Sequence, residues 1–341
     1  MLKHTIAAAL AGVTALALTA CGQTTDDSSA KDEAPRASAE CDGVKTSTDP
    51  VSMTDAYGRT IELDKPAERV AVLEWQQTED LLTLCVAPVA VADAKGFSTW
   101  VTSEELPAET KDVGTRGEPN LEALFATDPD LIVVEAYTAK DDILKQLAKY
   151  DVPVLATKGA DAKDPIAQMK STFELIAEAT GREEHAEDVL DDFDSALEEA
   201  KETIADSDAA GTEFVYFDGY VDGANVAIRP YGQGSLVGEL GEELGLKNVW
   251  TGQVDPAYGL GQTDIEGMTK VGDATFFYTG TSDPANPDSD VDAELAQSKV
   301  WTSIPAVSED RTYAFPGGIW TFGGPRSATQ MVDAYVSFLT K

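Results

Sequence analysis

The chain of 341 residues is poor in histidine and in basic residues. It has two histidines, and removal of an N-terminal segment that includes His4 would leave only His185, which excludes a histidine-rich metal site. Lys and Arg total 25 against 61 Asp and Glu, which gives a net charge of −36. Nucleic-acid binding needs clustered basic residues that neutralise phosphates, so that class is excluded as well. Because 43% of the residues are hydrophobic, the chain can bury a core, and its length favours two domains.

The N terminus has the composition of an export signal. The apolar run from Ile6 to Leu18 is too short to span a bilayer, which takes about 20 residues, but it fits the core of a signal peptide. The sequence Leu18-Thr19-Ala20-Cys21 that follows resembles a bacterial lipobox. That resemblance implies cleavage before Cys21, which would be lipidated and palmitoylated; the alternative is an ordinary signal peptide with a chance cysteine. We expect a signal peptide over 1–20, a flexible tether over 21–50, and a lipoprotein anchored on the extracytoplasmic face of the cell membrane.

The remaining cysteines, Cys41 and Cys85, form a candidate disulfide, because exported proteins keep such pairs oxidised. This bridge would join the start of the folded chain to its first lobe. The alternative is two free thiols, with Cys85 buried.

Short apolar runs alternate with helical patterns along most of the chain. Buried strands are predicted at 70–73, 88–92, 131–134, 152–155, 213–217, 225–228, 275–278 and 312–315. Between them, the segment 165–206 has helical periodicity, with apolar residues every three or four positions from Ala186 to Ile204. The fold class is therefore α/β, with two Rossmann-like lobes at 51–164 and 207–341 joined by one long helix. A ligand cleft is expected between the lobes, at the carboxyl ends of their strands.

The two lobes repeat a local pattern that contains a glutamate. Asn120-Leu121-Glu122, followed by a buried strand, has its counterpart in Asp264-Ile265-Glu266, also followed by a strand. A carboxylate in the first turn of a helix is favoured by the helix dipole, which is one explanation for Glu122 and Glu266.

Several fragments together resemble one family. Tyr57-Gly58-Arg59, the stretch from Pro66 to Leu73, Gly114 to Glu122, Asp128 to Ile132, and Gly323-Gly324-Pro325-Arg326-Ser327 are similar in order and content to iron–siderophore substrate-binding lipoproteins of ABC importers. The family also includes cobalamin and haem binders. The resemblance implies two helix-linked lobes, a ligand held in the cleft, a monomer, no cofactor, no protein ligand to a metal, and no catalysis. It also implies that Glu122 and Glu266 dock with arginines of the membrane permease.

Aromatic and arginine side chains that follow predicted strands are candidates for holding the organic shell of a siderophore, since strand ends face the cleft. They are Trp75, Trp100, Arg116, Tyr137, Tyr220, Arg229, Tyr231, Trp320, Phe322 and Arg326. The aromatic residues could instead belong to the lobe cores. Arg116 could instead pair with Glu118 or Asp112, and Arg326 with a carboxylate in the hinge.

The mixture of aromatic residues with a few arginines favours a ferric hydroxamate over a strongly anionic ferric catecholate. Haem or cobalamin is the alternative ligand, and Tyr137 or Tyr220 could serve as an axial ligand for haem. A secreted α/β hydrolase is a distant alternative, because the sequence has no G-x-S-x-G motif.

Overall fold

A computed structural model describes residues 41–222, 225–279 and 291–340. The expected signal peptide at 1–20, Cys21 and the tether as far as residue 40 lie outside the described residues. Among the residues that are described, we find no helix with both the length and the apolar character needed to cross a bilayer.

The N-terminal lobe is built on a parallel sheet of five strands in the order β5-β4-β3-β6-β7. A β-hairpin, β1 and β2, precedes this sheet. The elements are β1 (Val51–Thr54), β2 (Thr60–Leu63), β3 (Val70–Val72), α1 (Trp75–Thr83), β4 (Ala90–Val91), α2 (Ala94–Trp100), β5 (Lys111–Asp112), α3 (Leu121–Phe125), β6 (Leu131–Glu135), α4 (Asp142–Leu147) and β7 (Val154–Thr157). The strands β3 and β6 are fully buried apart from the last residue of β6, as expected for a parallel sheet covered on both faces.

The C-terminal lobe repeats this plan. Its elements are β8 (Glu213–Asp222), β9 (Asn225–Tyr231), α7 (Leu236–Glu243), β10 (Lys247–Asn248), α8 (Ile265–Met268), β11 (Thr275–Thr279), α9 (Val291–Gln297), α10 (Pro305–Ser308), β12 (Thr312–Phe315) and α11 (Pro325–Leu339). The strands β10, β8, β11 and β12 are parallel, and β9 pairs antiparallel with the second half of β8. The α/β fold class predicted from the sequence is confirmed.

Two helices, α5 (Pro165–Thr180) and α6 (Glu183–Ala205), occupy the segment between the lobes. Gly181, in a left-handed conformation, ends α5 and separates the two, so the helical segment is not continuous. The apolar side of α6 enters both cores: Ala186 packs in the core of the N-terminal lobe, whereas Phe193 and Ile204 pack in that of the C-terminal lobe. The helix α6 therefore links the two lobes.

Residues 41–50, which the sequence assigned to the tether, contact the folded body. A disulfide joins Cys41 to Cys85, the backbone N–H of Ser47 donates to the carbonyl of Gly181, and Arg182 donates to the carbonyl of Val44 at 3.1 Å. Residues 41–50 are therefore held against the folded body by a disulfide and by hydrogen bonds.

Behind the cleft, α1 meets the start of α11 through two buried carboxyl groups. Ser327 donates its backbone N–H and its hydroxyl to Glu79, at 2.8 and 2.7 Å. Both oxygens of the neighbouring Asp80 lack a hydrogen-bond partner among the described residues. A Cβ added at Gly324 would lie 1.9 Å from Asp80 Oδ1, so glycine is required for this close approach. Burial raises the pKa of Glu79 to about 7 and the pKa of Asp80 well above its usual range.

Candidate functional site

A cavity lies between the lobes, where the strand order reverses in each sheet. In the N-terminal lobe the chain moves outward from β3 to β4 and β5, then returns to the other side of β3 with β6. The carboxyl ends of β3 and β6 thus face a crevice, which is where open α/β sheets bind their ligands. The cavity has a volume of about 870 Å³, large enough for a ligand of several hundred daltons.

Five of the ten residues predicted to bind a ligand line this cleft; all ten lie in the described part of the chain. They are Arg116, Tyr137, Arg229, Trp320 and Phe322. Tyr137 is the most open of them, with 73% of its surface exposed.

Trp75 and Trp100 do not line the cleft. Glu74 has an extended backbone and caps α1, accepting a hydrogen bond from the N–H of Trp75, so Trp75 is the first residue of the helix. This position turns Trp75 inward, where it is 5% exposed and packs with Leu82 and Phe97. Trp100, expected at the cleft because it follows a predicted strand, is the last residue of α2 and packs against the same cluster.

Tyr220, Tyr231 and Arg326 also lie outside the cleft lining. Tyr220 and Tyr231 were expected after strands but lie within β8 and β9, because these strands form a longer antiparallel hairpin. Tyr220 lines an adjoining hollow of about 650 Å³, and Tyr231 is buried, donating its hydroxyl to Asp218. Arg326 pairs with Glu104 and lines a separate pocket of about 310 Å³.

Aromatic rings form one wall of the cleft. The ring of Trp320 packs edge-on against Trp75 at 4.8 Å and against Phe322 at 5.1 Å, and Phe322 contacts Tyr258 at 5.6 Å. Each side chain is held by another ring, so the wall is rigid, and it offers apolar faces to a bound molecule.

Both cleft arginines are held by carboxylates. Arg116 forms an ion pair with Glu74, not with Glu118 or Asp112, and its guanidinium lies 3.7 Å from the centre of the Trp75 ring. Arg229 donates through Nε to Asp218 at 2.9 Å and through a second nitrogen to the other oxygen. Each side chain is oriented by its partner, and 33% of Arg116 and 43% of Arg229 remain exposed for further hydrogen bonds.

Sequence reasoning missed Glu135, Tyr258 and Leu260, which also line the cleft. Glu135 is the last residue of β6, and its charge directly after four apolar residues was a usable signal for a strand end at the cleft. The loop that carries Tyr258 and Leu260 has no strand or helix pattern, and its position depends on isolated bridges to β9.

Glu135 and Tyr258 connect the two lobes across the cleft. The Tyr258 hydroxyl donates to Glu135 Oε1 at 2.6 Å. Burial, together with the nearby charge of Glu74, raises the pKa of Glu135 to about 7, although this hydrogen bond and Arg116 act in the opposite direction.

Glu122 and Glu266 occupy equivalent positions in the two lobes. Each is exposed in the first turn of a short helix, capped by the side chain of Asn120 or Asp264, that leads into β6 or β11. These strands pair with β3 and β8 respectively, so the repeated sequence pattern corresponds to a repeated structural unit.

Over the described ranges, no group of three or more His, Cys, Asp or Glu side chains is placed to hold a metal ion.

Comparison with known proteins gives consistent matches. The family described as periplasmic binding protein matches residues 70–317. The iron(3+)-hydroxamate-binding protein FhuD of Escherichia coli (strain K12) is 27% identical over 265 residues, covering 77% of this chain and 84% of that protein. The probable siderophore-binding lipoprotein YfiY of Bacillus subtilis (strain 168) is 24% identical over 301 residues, covering 84% and 86%. Among solved structures, the Fe3+-Desferal-bound siderophore binding protein FhuD from Vibrio cholerae has a TM-score of 0.66 at 23% identity, covering 80% of this chain and 97% of that one, which shows a shared fold.

Proposed function

The chain belongs to the periplasmic binding protein family, and on that premise we propose that it captures a ferric siderophore outside the cytoplasmic membrane. It then delivers the complex to the permease of an ABC importer for iron uptake. It acts by binding and release rather than by catalysis, and as a monomer.

The composition of the cleft carries this proposal. A siderophore already fills the coordination shell of its iron with oxygen atoms, so the protein has to recognise an organic surface. The wall formed by Trp320, Phe322 and Tyr258 supplies apolar faces. The guanidinium groups of Arg116 and Arg229 line the cleft and supply hydrogen-bond donors for the acceptor oxygens of such a ligand. The shape and chemistry of the cleft therefore fit a compact, oxygen-rich complex.

A hydroxamate complex is the favoured ligand. A ferric trishydroxamate core has no net charge, and two arginines that are already paired suit it better than a triply negative catecholate complex. The name of the FhuD relative of Escherichia coli agrees with this preference.

Titration of the purified folded part with iron complexes tests the function. We expect a ferric trishydroxamate to quench tryptophan fluorescence saturably, with a dissociation constant below about 1 µM, because Trp320 lines the cleft. Cobalamin and haem are the comparison ligands, since Tyr137, whose side chain lines the cleft and is largely exposed, could coordinate haem iron. Saturation by either, with no response to ferric hydroxamate, catecholate or citrate complexes, would overturn the assignment.

Membrane attachment is proposed through lipid on Cys21, with residues 21–40 as the tether. The support is the lipobox-like sequence at 18–21 and the net charge of −36, since anionic lipid would repel so acidic a protein without an acyl anchor. We expect Cys21→Ser to move the protein from the membrane fraction to the soluble fraction. Retention of the variant on membranes would refute the anchor.

A further inference from the structure

Acidic side chains outnumber basic ones in the cleft. Among the described residues that line it, the carboxylates are Glu74, Asp93, Glu135 and Asp141, and the cations are Arg116 and Arg229. The charge of this surface decides which iron complexes can enter, because partial burial strengthens every charge interaction there.

Neither arginine adds an uncompensated positive charge. Glu74 balances Arg116, and Asp218, which lies beside the cleft, balances Arg229. Both pairs are held further, the first by the Trp75 ring and the second by the hydroxyl of Tyr231. A ligand can accept hydrogen bonds from these arginines but gains little net attraction from them.

The other three carboxylates have neutral partners. Glu135 accepts from the Tyr258 hydroxyl, Asp93 from the N–H of Gly96, and Asp141 from the N–H of Tyr137 and the hydroxyl of Thr138. In the part of the chain that the structure describes, none of the three forms an ion pair, although the charges of Arg116 and Lys145 act on Glu135 and Asp141 respectively from a greater distance. The lining therefore carries an excess of negative charge.

Glu135 is the best placed of the three to meet a ligand. It ends the central strand β6 and its partner Tyr258 comes from the opposite lobe, so a molecule between the lobes lies against it. Partial burial makes its charge costly unless a cation approaches. An anionic complex in the same place would face repulsion as well as desolvation.

We infer, on the basis of the proposed function, that the ligand is a ferric complex of zero or positive net charge, with a protonated amine of its organic shell seated against Glu135. The iron core is held by the aromatic wall and the two arginines. The amine replaces water around the carboxylate and forms a charge-assisted hydrogen bond.

A series of three probes that share one iron core tests this inference. The first probe is the ferric complex of a linear trishydroxamate that ends in a primary amine, and it carries one positive charge. The second is its N-acetyl derivative, which is neutral. The third is its N-succinyl derivative, which carries one negative charge. We expect the amine form to bind about tenfold more tightly than the neutral form, and the anionic form to bind least well. Glu135→Gln should remove the advantage of the amine form, so that the ratio of the dissociation constants of the neutral and amine probes falls from about ten to about one. Glu109→Gln, at an exposed position outside the cleft, loses the same single charge and should keep the full preference.

The pH dependence is a second readout. The groups that act on Glu135 are Glu74, Arg116, Gln77 and Tyr258, and the phenol of Tyr57 also lies within range of its charge. Its pKa is raised to about 7 by burial and by Glu74, so it gains a proton as the pH falls below 7. The advantage of the amine probe should therefore shrink at low pH in the wild type and stay constant in Glu135→Gln.

The outcomes separate this inference from the proposed function. Equal binding of the three probes, or tightest binding of the anionic one, overturns the charge selection and leaves siderophore capture standing. Failure of all three probes to bind overturns this inference and the preference for a hydroxamate, whereas siderophore capture itself is overturned only if ferric catecholate and citrate complexes also fail to bind.

Discussion

Single residues depart from sequence expectation where one hydrogen bond redirects a side chain. Trp75 follows the strand β3, a position that suggested the cleft. The carboxylate of Glu74 caps the helix instead, and the first helical residue turns toward the lobe interior. The same carboxylate of Glu74 pairs with Arg116. The sequence did not predict this pair, because the two residues are far apart in sequence and close only in space. Long-range pairing of this kind is invisible in a single sequence.

The buried carboxyl groups of α1 give a residue-scale prediction about stability. Glu79 holds the start of α11 through Ser327, with Asp80 and Glu104 as its ionisable neighbours. Its pKa in the folded state is raised to about 7, mainly by burial, so folding takes up protons between the ordinary carboxyl pKa and 7. The protonated group contributes its full stability below the ordinary carboxyl pKa. This contribution to the free energy of unfolding is lost as the pH rises from that value through 7, and the total loss is about 3 kcal/mol at most.

We expect Glu79→Gln to remove that loss. In chemical denaturation followed by circular dichroism, the wild type should lose stability relative to the variant as the pH is raised from below 5 to above 7. Glu109→Gln, exposed and far from α11 in sequence, is the control for the loss of one charge. Parallel pH profiles for the wild type and Glu79→Gln would contradict the assignment.

Among the elements, the buried parallel strands were the easiest to predict. The sequences of β3, β6, β8 and β11 contain continuous apolar runs, which predict a strand buried on both faces. The structure has a strand over each of these runs. The antiparallel hairpin of β8 and β9 was not predicted at its full length, because Asp218 and Gly219 interrupt the apolar run of β8. Cross-strand pairing of Asp218 with Arg229 stabilises this part of the hairpin. Because the hairpin is longer than predicted, Tyr220 and Tyr231 lie within its strands and not, as the sequence had suggested, after them.

For the whole molecule, the repeat between the lobes explains both the cleft and the symmetric glutamates. Each sheet reverses its strand order beside its first parallel strand, β3 or β8, so the carboxyl ends of the strands face the cleft in both lobes. The repeated sequence pattern at 120–134 and 264–278 was therefore enough to predict a cleft between two similar lobes. It could not supply Tyr258, whose loop has no counterpart in the pattern and reaches Glu135 only through tertiary contacts.

The same symmetry predicts how the protein meets its permease. Glu122 and Glu266 are exposed in equivalent first turns, one on each lobe, which suits simultaneous docking of both lobes on arginines of the two permease halves. We expect Glu122→Lys combined with Glu266→Lys to abolish ferric siderophore uptake in cells that lack the native protein, because like charges would then face each other. Ligand affinity measured by fluorescence should be unchanged, since neither residue lines the cleft.

The control is a second double variant, Glu109→Lys with Glu294→Lys. These two residues are also exposed, one on each lobe, so the variant changes the net charge equally and should preserve uptake. Normal uptake by the Glu122 and Glu266 double variant would rule out docking through these glutamates.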